Sequence, residues 1–241
     1  MSSLVVSDST RKALTLLALV PVAVLVSRTS IARHVCALVL NNLTSKSPKS
    51  RTFAAIDAAN ACDPREDEGE PKELLYGKRM SEMQGTFKPD ANDLVQIACR
   101  AQHIERWTSP RTTYPAGKLG YLKWRSDLYV YHGTRAAEIM YVCGYAQSDC
   151  ARVQYLLSKK GIKAADASDR DVDAQIVEDV ACLVFLKYYW KPFMKSEVLS
   201  DDKLVAVLQR TWSKMSDDAH AAALDLGLND DEMRLIKIAL S

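Results

Sequence analysis

The sequence predicts an all-α fold: one compact multi-helix domain over residues 51–241, preceded by an N-terminal extension over residues 1–50. Three observations carry that prediction. From Phe53 onward apolar residues recur at three- and four-residue spacing, the period of a helix with one buried face. No run alternates polar and apolar residues between tight-turn dipeptides, as a half-buried strand would. Glycine and proline largely fall between the periodic segments and punctuate them. A length of 241 residues suits one domain with an appendage, and 48% hydrophobic with 26% charged residues is an ordinary globular composition.

The extension differs in character from the body. "RKALTLLALVPVAVLVSRTS" is an apolar run led by Arg11 and Lys12, shorter than the roughly 20 apolar residues of a comfortable membrane span. The continuation is rich in serine and arginine and lacks acids, as an organelle transit peptide does. The segment therefore predicts delivery to a mitochondrion or plastid, or entry to the secretory route. A retained segment would make it a membrane anchor, and a segment that is no signal would leave the protein cytoplasmic. "SKSPKSR" reads as the linker to the body. Before Thr52 seven basic residues face one acid, Asp8, so the body itself is slightly acidic, which argues against nucleic acid as a partner.

Within the body the elements follow in order. "TFAAIDAANA" is a first short helix and "CDPREDEGE" an acidic loop. Pro71 stands where a first helical residue would, ahead of "KELLYGKRMSEMQ". "NDLVQIACRAQHIERW" predicts a helix over 92–107, and "TSPRTTYPAGKLGYLKW" a long irregular stretch after it. "RSDLYVYHGTRAAEIMYVCG" and "SDCARVQYLLSKKG" read as two helices. "DVDAQIVEDVACLVFLKYYW" is a long one, capped by Asp171 or Asp173. "DDKLVAVLQRTWSKMS", "DDAHAAALDLG" and "DDEMRLIKIALS" complete the set. Six scattered cysteines form no CxxC pair, which argues against a zinc knuckle and for reduced thiols, with Cys99 and Cys182 in the core.

Candidate chemistry comes from three places. The apolar residues around Glu178 and Asp179 cover nearly every direction of the helix, so both carboxylates project from a core helix. A buried carboxylate must be paired, protonated or metal-bound. His103 lies opposite the apolar face of Leu94, Ile97, Ala98, Ala101 and Ile104 and so faces solvent or a polar cleft. A histidine with buried carboxylates from another helix is how helical metal hydrolases build a site, and Glu73, Glu138 or His132 would complete it. Finally, residues 106–125 interleave Arg106, Arg111, Lys118, Lys123 and Arg125 with Trp107, Tyr114, Tyr121 and Trp124, which suits a phosphorylated or nucleotide-like ligand. "HIER" and "KMSDD" echo the signatures of class I aminoacyl-tRNA synthetases, but Glu105 and Asp217 replace the residues those signatures need, and the strand–helix alternation of a nucleotide-binding fold is missing.

The blocks "FAAIDAANACDP", "PKELLYGKRMSEM", "RAQHIERW", "SPRTTYPAGKLGYLKWRSDL", "ARVQYLLSKK", "VEDVACLVFLKYY" and "TWSKMSDDAHAAAL" resemble, in order, the family called domain of unknown function 4202. A weaker resemblance joins the chain to HD-domain phosphohydrolases, which hold a metal with an early histidine, a His-Asp doublet and a late aspartate. His103 matches the doublet histidine and Asp179 the late aspartate. Ile104 replaces the doublet aspartate, and Glu73 and Tyr76 stand near the early position. This resemblance implies an HD-like fold and a divalent metal ion on His103 and Asp179. Glu178 or Glu73 would be the further ligand or general base, and the five cations of 106–125 would steer a phosphorylated substrate. The rival expectation is a non-enzymatic helical module that grips a protein or an anionic ligand with 106–125.

Overall fold

The computed structural model describes residues 47–162, 170–195 and 200–240. Almost all of the predicted targeting segment therefore lies outside the described residues. Ten α-helices run through them: α1 (Pro48–Asn60), α2 (Lys72–Phe87), α3 (Asp93–Arg100), α4 (Gly117–Val142), α5 (Gln147–Leu157), α6 (Val172–Val184), α7 (Trp190–Met194), α8 (Asp201–Trp212), α9 (Asp217–Leu224) and α10 (Asp230–Leu240). No helix among the described residues is long and apolar enough to cross a membrane.

Several starts follow directly from capping chemistry. Ser47 caps α1, its Oγ accepting from the Ser50 N–H at 3.2 Å with Pro48 at the first helical position. The helix thus begins inside the stretch read as a linker. Asn92 Oδ1 accepts from the N–H groups of Leu94 and Val95, both at 3.0 Å, and starts α3. Asp171 rather than Asp173 caps α6, accepting from Ala174 N at 3.0 Å. Arg152 on α5 donates to both aspartates and ties α5 to the start of α6.

The core is built around α3, which packs against α1, α2, α5 and α6. Its Val95, Ile97, Ala98 and Cys99 are buried. They meet Met80 of α2, Val153 and Leu156 of α5, and Val177, Val180 and Leu183 of α6. Helices α4 and α5 pair closely at Gly133, where a Cβ would stand 3.0 Å from the Gln154 carbonyl oxygen. Among the last three helices, α9 packs against α6 and α8 packs against α10.

Three expectations are corrected. The acidic loop contains a two-stranded antiparallel hairpin, β1 (Glu66–Asp67) and β2 (Glu70–Pro71), and α2 starts one residue after Pro71. The helix predicted over 92–107 stops at Arg100. Residues 101–105 turn, Glu105 adopts a left-handed conformation with φ 49°, and a single 3₁₀ turn follows over Arg106–Thr108. His103 therefore owes its position to a turn, and the wheel that placed it opposite the apolar face does not apply. Lastly, the irregular stretch is shorter than the sequence suggested, because α4 already begins at Gly117.

Candidate functional site

One cavity of about 550 Å³ opens between α2, the 101–108 turn, α4, α6 and α8. This volume suits a small-molecule ligand. Its charged lining is lopsided. Arg65, Lys72, Arg106, Arg125, Lys159 and Lys214 face two carboxylates, Glu73 and Glu178. Aromatic rings fill much of the remaining wall, including Tyr76, Tyr121, Tyr129, Phe185 and Tyr189. Phe185 and Tyr189 come from a π-helical turn over Phe185–Tyr189 that joins α6 to α7, a local widening that recurs at functional sites. Arg79 holds the Tyr189 hydroxyl, donating to it at 3.1 Å.

At one side of the cavity His103 is held from three directions. Its ring stacks on Tyr76 with centroids 3.9 Å apart and planes 12° from parallel. Its Nδ1 stands 3.3 Å from Glu73 Oε2. Its Nε2 is 2.7 Å from Arg106 Nη1. A guanidinium only donates, so Nε2 is the acceptor of the pair and the ring proton sits on Nδ1, toward the carboxylate. Burial, and then the charges of Arg106 and Lys159, hold the ring well below the usual histidine range, so it is neutral at pH 7. Glu73 is only 3% exposed. Burial pushes its carboxyl up, against the opposing charges of Arg106 and Arg65. Arg65 Nη2 donates to Glu73 Oε1 at 2.8 Å and also clamps Asp63, so the short hairpin anchors this wall.

At the other side Glu178 faces Lys159, with Nζ and Oε2 2.9 Å apart, and Lys214 Nζ stands 3.7 Å from Oε1. Burial alone would raise the Glu178 carboxyl, but Lys159, Lys214 and Arg125 outweigh it and hold the group below the usual range. Lys159 is 5% exposed and has φ 59°, a left-handed conformation, just past the end of α5. Helices commonly end on such a residue, and glycine is the usual occupant.

The structure brings together some of the sequence-predicted residues and disperses others. Glu73, His103, Arg106, Arg125, His132 and Glu178 all line the cavity. Asp179 does not. It is 2% exposed, and its oxygens accept from Ser216 N at 2.9 Å, Ser216 Oγ at 2.6 Å and Gln175 Nε2 at 2.8 Å, which fixes the start of α9 against α6. Glu138 pairs with Arg135 on the surface of α4. Arg111 is spent on the backbone, donating to the carbonyls of Tyr114 and Pro115 at 3.0 and 2.9 Å. Lys123 pairs with Asp127 one turn along α4, and Lys118 is exposed at the start of that helix, outside the lining.

This arrangement does not fit a metal on His103 and Asp179. Both ring nitrogens of His103 are engaged and Asp179 serves a helix cap. Among the described residues no group of three or more His, Cys, Asp or Glu side chains is placed to hold a metal ion. Sequence reasoning also missed lining residues. Lys159 sits in "SKKG", which reads as an ordinary solvated helix end, and Lys72 and Lys214 look like surface cations. Tyr76 was named beside Glu73, three residues on along the same helix face, but its stacking on His103 was not foreseen.

No curated protein and no solved structure matches the chain. The sequence pattern of one family does match it, over residues 50–236, which spans α2 through α9 and every residue of the cavity. The chain belongs to the family described as domain of unknown function 4202.

Proposed function

We propose that the protein binds a small phosphorylated molecule in this cavity and hydrolyses its phosphoester, with the Glu73–His103 pair as the acid–base group. The observation that carries the reading is the six-to-two excess of cations over carboxylates within one aromatic-walled cavity. Guanidinium forks match phosphate oxygens in geometry and charge. Arg106 is the central one, lying 4.8 Å over the Trp124 ring and donating to His103. A phosphate that draws Arg106 away leaves Nε2 of a neutral, carboxylate-oriented histidine with a free lone pair, which is what a general base needs.

Calorimetric titration with a panel of nucleotides, sugar phosphates and alkyl phosphates tests the binding. Arg106→Ala or Arg125→Ala should weaken it by roughly tenfold or more, given about 1.5–3 kcal/mol for a hydrogen bond to a charged group. Lys123→Ala should leave it unchanged. A protein that binds no member of the panel sinks the proposal. Phosphate release from the bound compounds, measured with and without added magnesium or manganese, tests the chemistry. Binding without turnover under either condition returns the rival reading, a binding module, but with this cavity rather than the 106–125 surface as its site.

A further inference from the structure

The ligand proposed above has a phosphate; the depth profile of the cavity says what the rest of it must offer. The cations are graded outward. Lys72 is exposed, the side chains of Arg65 and Lys214 are nearly half exposed, and Arg106 and Arg125 are half-buried. The buried lining is of another kind. Gln102 Oε1, His132 Nε2 and Lys159 Nζ are three buried polar atoms without a hydrogen-bond partner, and all three residues line the cavity. Only six such atoms occur among the described residues, so half of them belong to this one lining. Lys159 faces Glu178 at 2.9 Å, yet its Nζ makes no well-directed hydrogen bond there.

Buried polar groups in folded proteins are overwhelmingly paired, and an orphan calls for a water or a ligand atom. These three have different needs. A glutamine carbonyl accepts only, an ammonium donates only, and a histidine nitrogen does either according to its proton. The Glu178 carboxylate beside them accepts only. A phosphate, which at neutral pH chiefly accepts, serves the lysine and repels the carboxylate. A hydroxyl donates and accepts at once, so a set of hydroxyls meets every one of these groups.

We infer that the ligand is a phosphorylated polyhydroxy compound, a sugar phosphate, seated with its hydroxyls against Gln102, His132, Lys159 and Glu178 and its phosphate outward among Arg106, Arg125 and Lys214. The inference rests on the phosphate-binding reading and deepens it. Lys159 supports it independently. A lysine occupies a left-handed position where glycine is the usual residue, and only a side chain can reach Glu178 and the cavity from there.

The test compares compounds of equal charge in titration calorimetry: ribose 5-phosphate and glucose 6-phosphate against butyl phosphate, which has a monoester phosphate and no hydroxyl. The sugar phosphates should bind at least ten times more tightly. His132→Phe and Gln102→Met remove orphaned atoms at little change in volume, so both variants should fold, and both should erase most of that preference while retaining butyl phosphate binding. Equal binding of butyl phosphate and the sugar phosphates, or a preference that survives in both variants, overturns the inference and leaves phosphate binding standing. Absence of binding for all three compounds overturns the phosphate reading along with it.

Discussion

Replacing Lys159 by methionine tests how the inner wall is held together. Methionine keeps an unbranched apolar stem as far as the ε position and removes the ammonium, with its charge and its three donors. The side chains of Lys159 and Glu178 are 6% and 10% exposed, so the pair is shielded from water and little screened by salt. Removing one member of a buried pair leaves the other charge uncompensated, which costs about 3–5 kcal/mol. Lys214 stands 3.7 Å from the other oxygen of Glu178 and supplies partial compensation. The expected loss therefore lies at the low end, about 3 kcal/mol, or about 6–12 °C in Tm for a domain of this size.

The measurement is urea denaturation followed by circular dichroism, on Lys159→Met, Glu178→Gln and the double variant. The two single changes act on one pair, so the double variant should be more stable than the sum of their losses allows, by about 2 kcal/mol. The pH dependence has a fixed sign. Lys159 helps hold the Glu178 carboxyl below its unfolded value, so the stability it gives is fully present above the unfolded carboxylate pKa and is lost as pH falls through the folded one. The gap between wild type and Lys159→Met should narrow in acid. A loss below about 1 kcal/mol, or additive single effects, would refute the buried-pair argument.

Two further outcomes follow from the same geometry. His103 and His132 are both held well below the usual histidine range, chiefly by burial, so the unfolded chain binds more protons than the folded one below about pH 6.5. Their stability is complete above that value and falls with pH below it, at up to about 1.4 kcal/mol per unit per ring, and His132→Phe should remove about half of the slope in denaturation curves between pH 6.5 and 5.5. Gly120 permits the tight start of α4, where a Cβ would lie 1.9 Å from the Pro115 carbonyl oxygen, so Gly120→Ala must displace the loop that Arg111 pins. A loss of about 1–3 kcal/mol is expected, and an unchanged denaturation midpoint would show that the loop is free to shift.

The helical class and most helices were legible because each amphipathic segment writes its own period into the sequence. The burial of Glu178 and Asp179 was legible for the same reason: α6 is apolar nearly all round. Their partners were not. Asp179 finds Ser216 some 37 residues on, and Glu178 finds Lys159 just past the end of α5, and no local pattern records either contact. A metal shared by His103 and Asp179 does not fit for the same reason, because Asp179 is turned to Ser216, whereas the placement of His103 itself hung on a backbone detail. Periodicity continues through Ala101 and Ile104, both buried, but the hydrogen bonding of α3 stops at Arg100, and apolar spacing alone does not reveal a left-handed residue at Glu105. Arg106 and Arg125 were found as part of a cationic run. Their separation from Arg111 and Lys123 depends on which carbonyls and carboxylates lie within reach, and that is tertiary information.

Glu105 and Lys159 share a feature that bears on how the site is kept in shape. Both are charged residues in left-handed conformations, with φ 49° and 59°, at turns that deliver cavity residues. Glycine would relieve each turn of about 1–2 kcal/mol of backbone strain. Glu105 instead accepts from the Tyr131 hydroxyl at 2.9 Å and from Arg135 Nε at 2.8 Å, which ties the turn carrying His103 and Arg106 to α4. Glu105→Gly should therefore come close to breaking even in stability, with a net loss of about 1–2 kcal/mol, because relieved strain offsets part of the loss of a largely buried ion pair, 18% exposed on each side. Binding should not break even. With the tether gone, the turn no longer fixes Arg106 between His103 and the cavity, and affinity for a phosphorylated ligand should fall several-fold at a small cost in stability. Charge at a position that suits glycine would then serve to place the arginine. If Glu105→Gly is more stable than wild type and binds as well, the turn is held by its own backbone and the tether does nothing for the site.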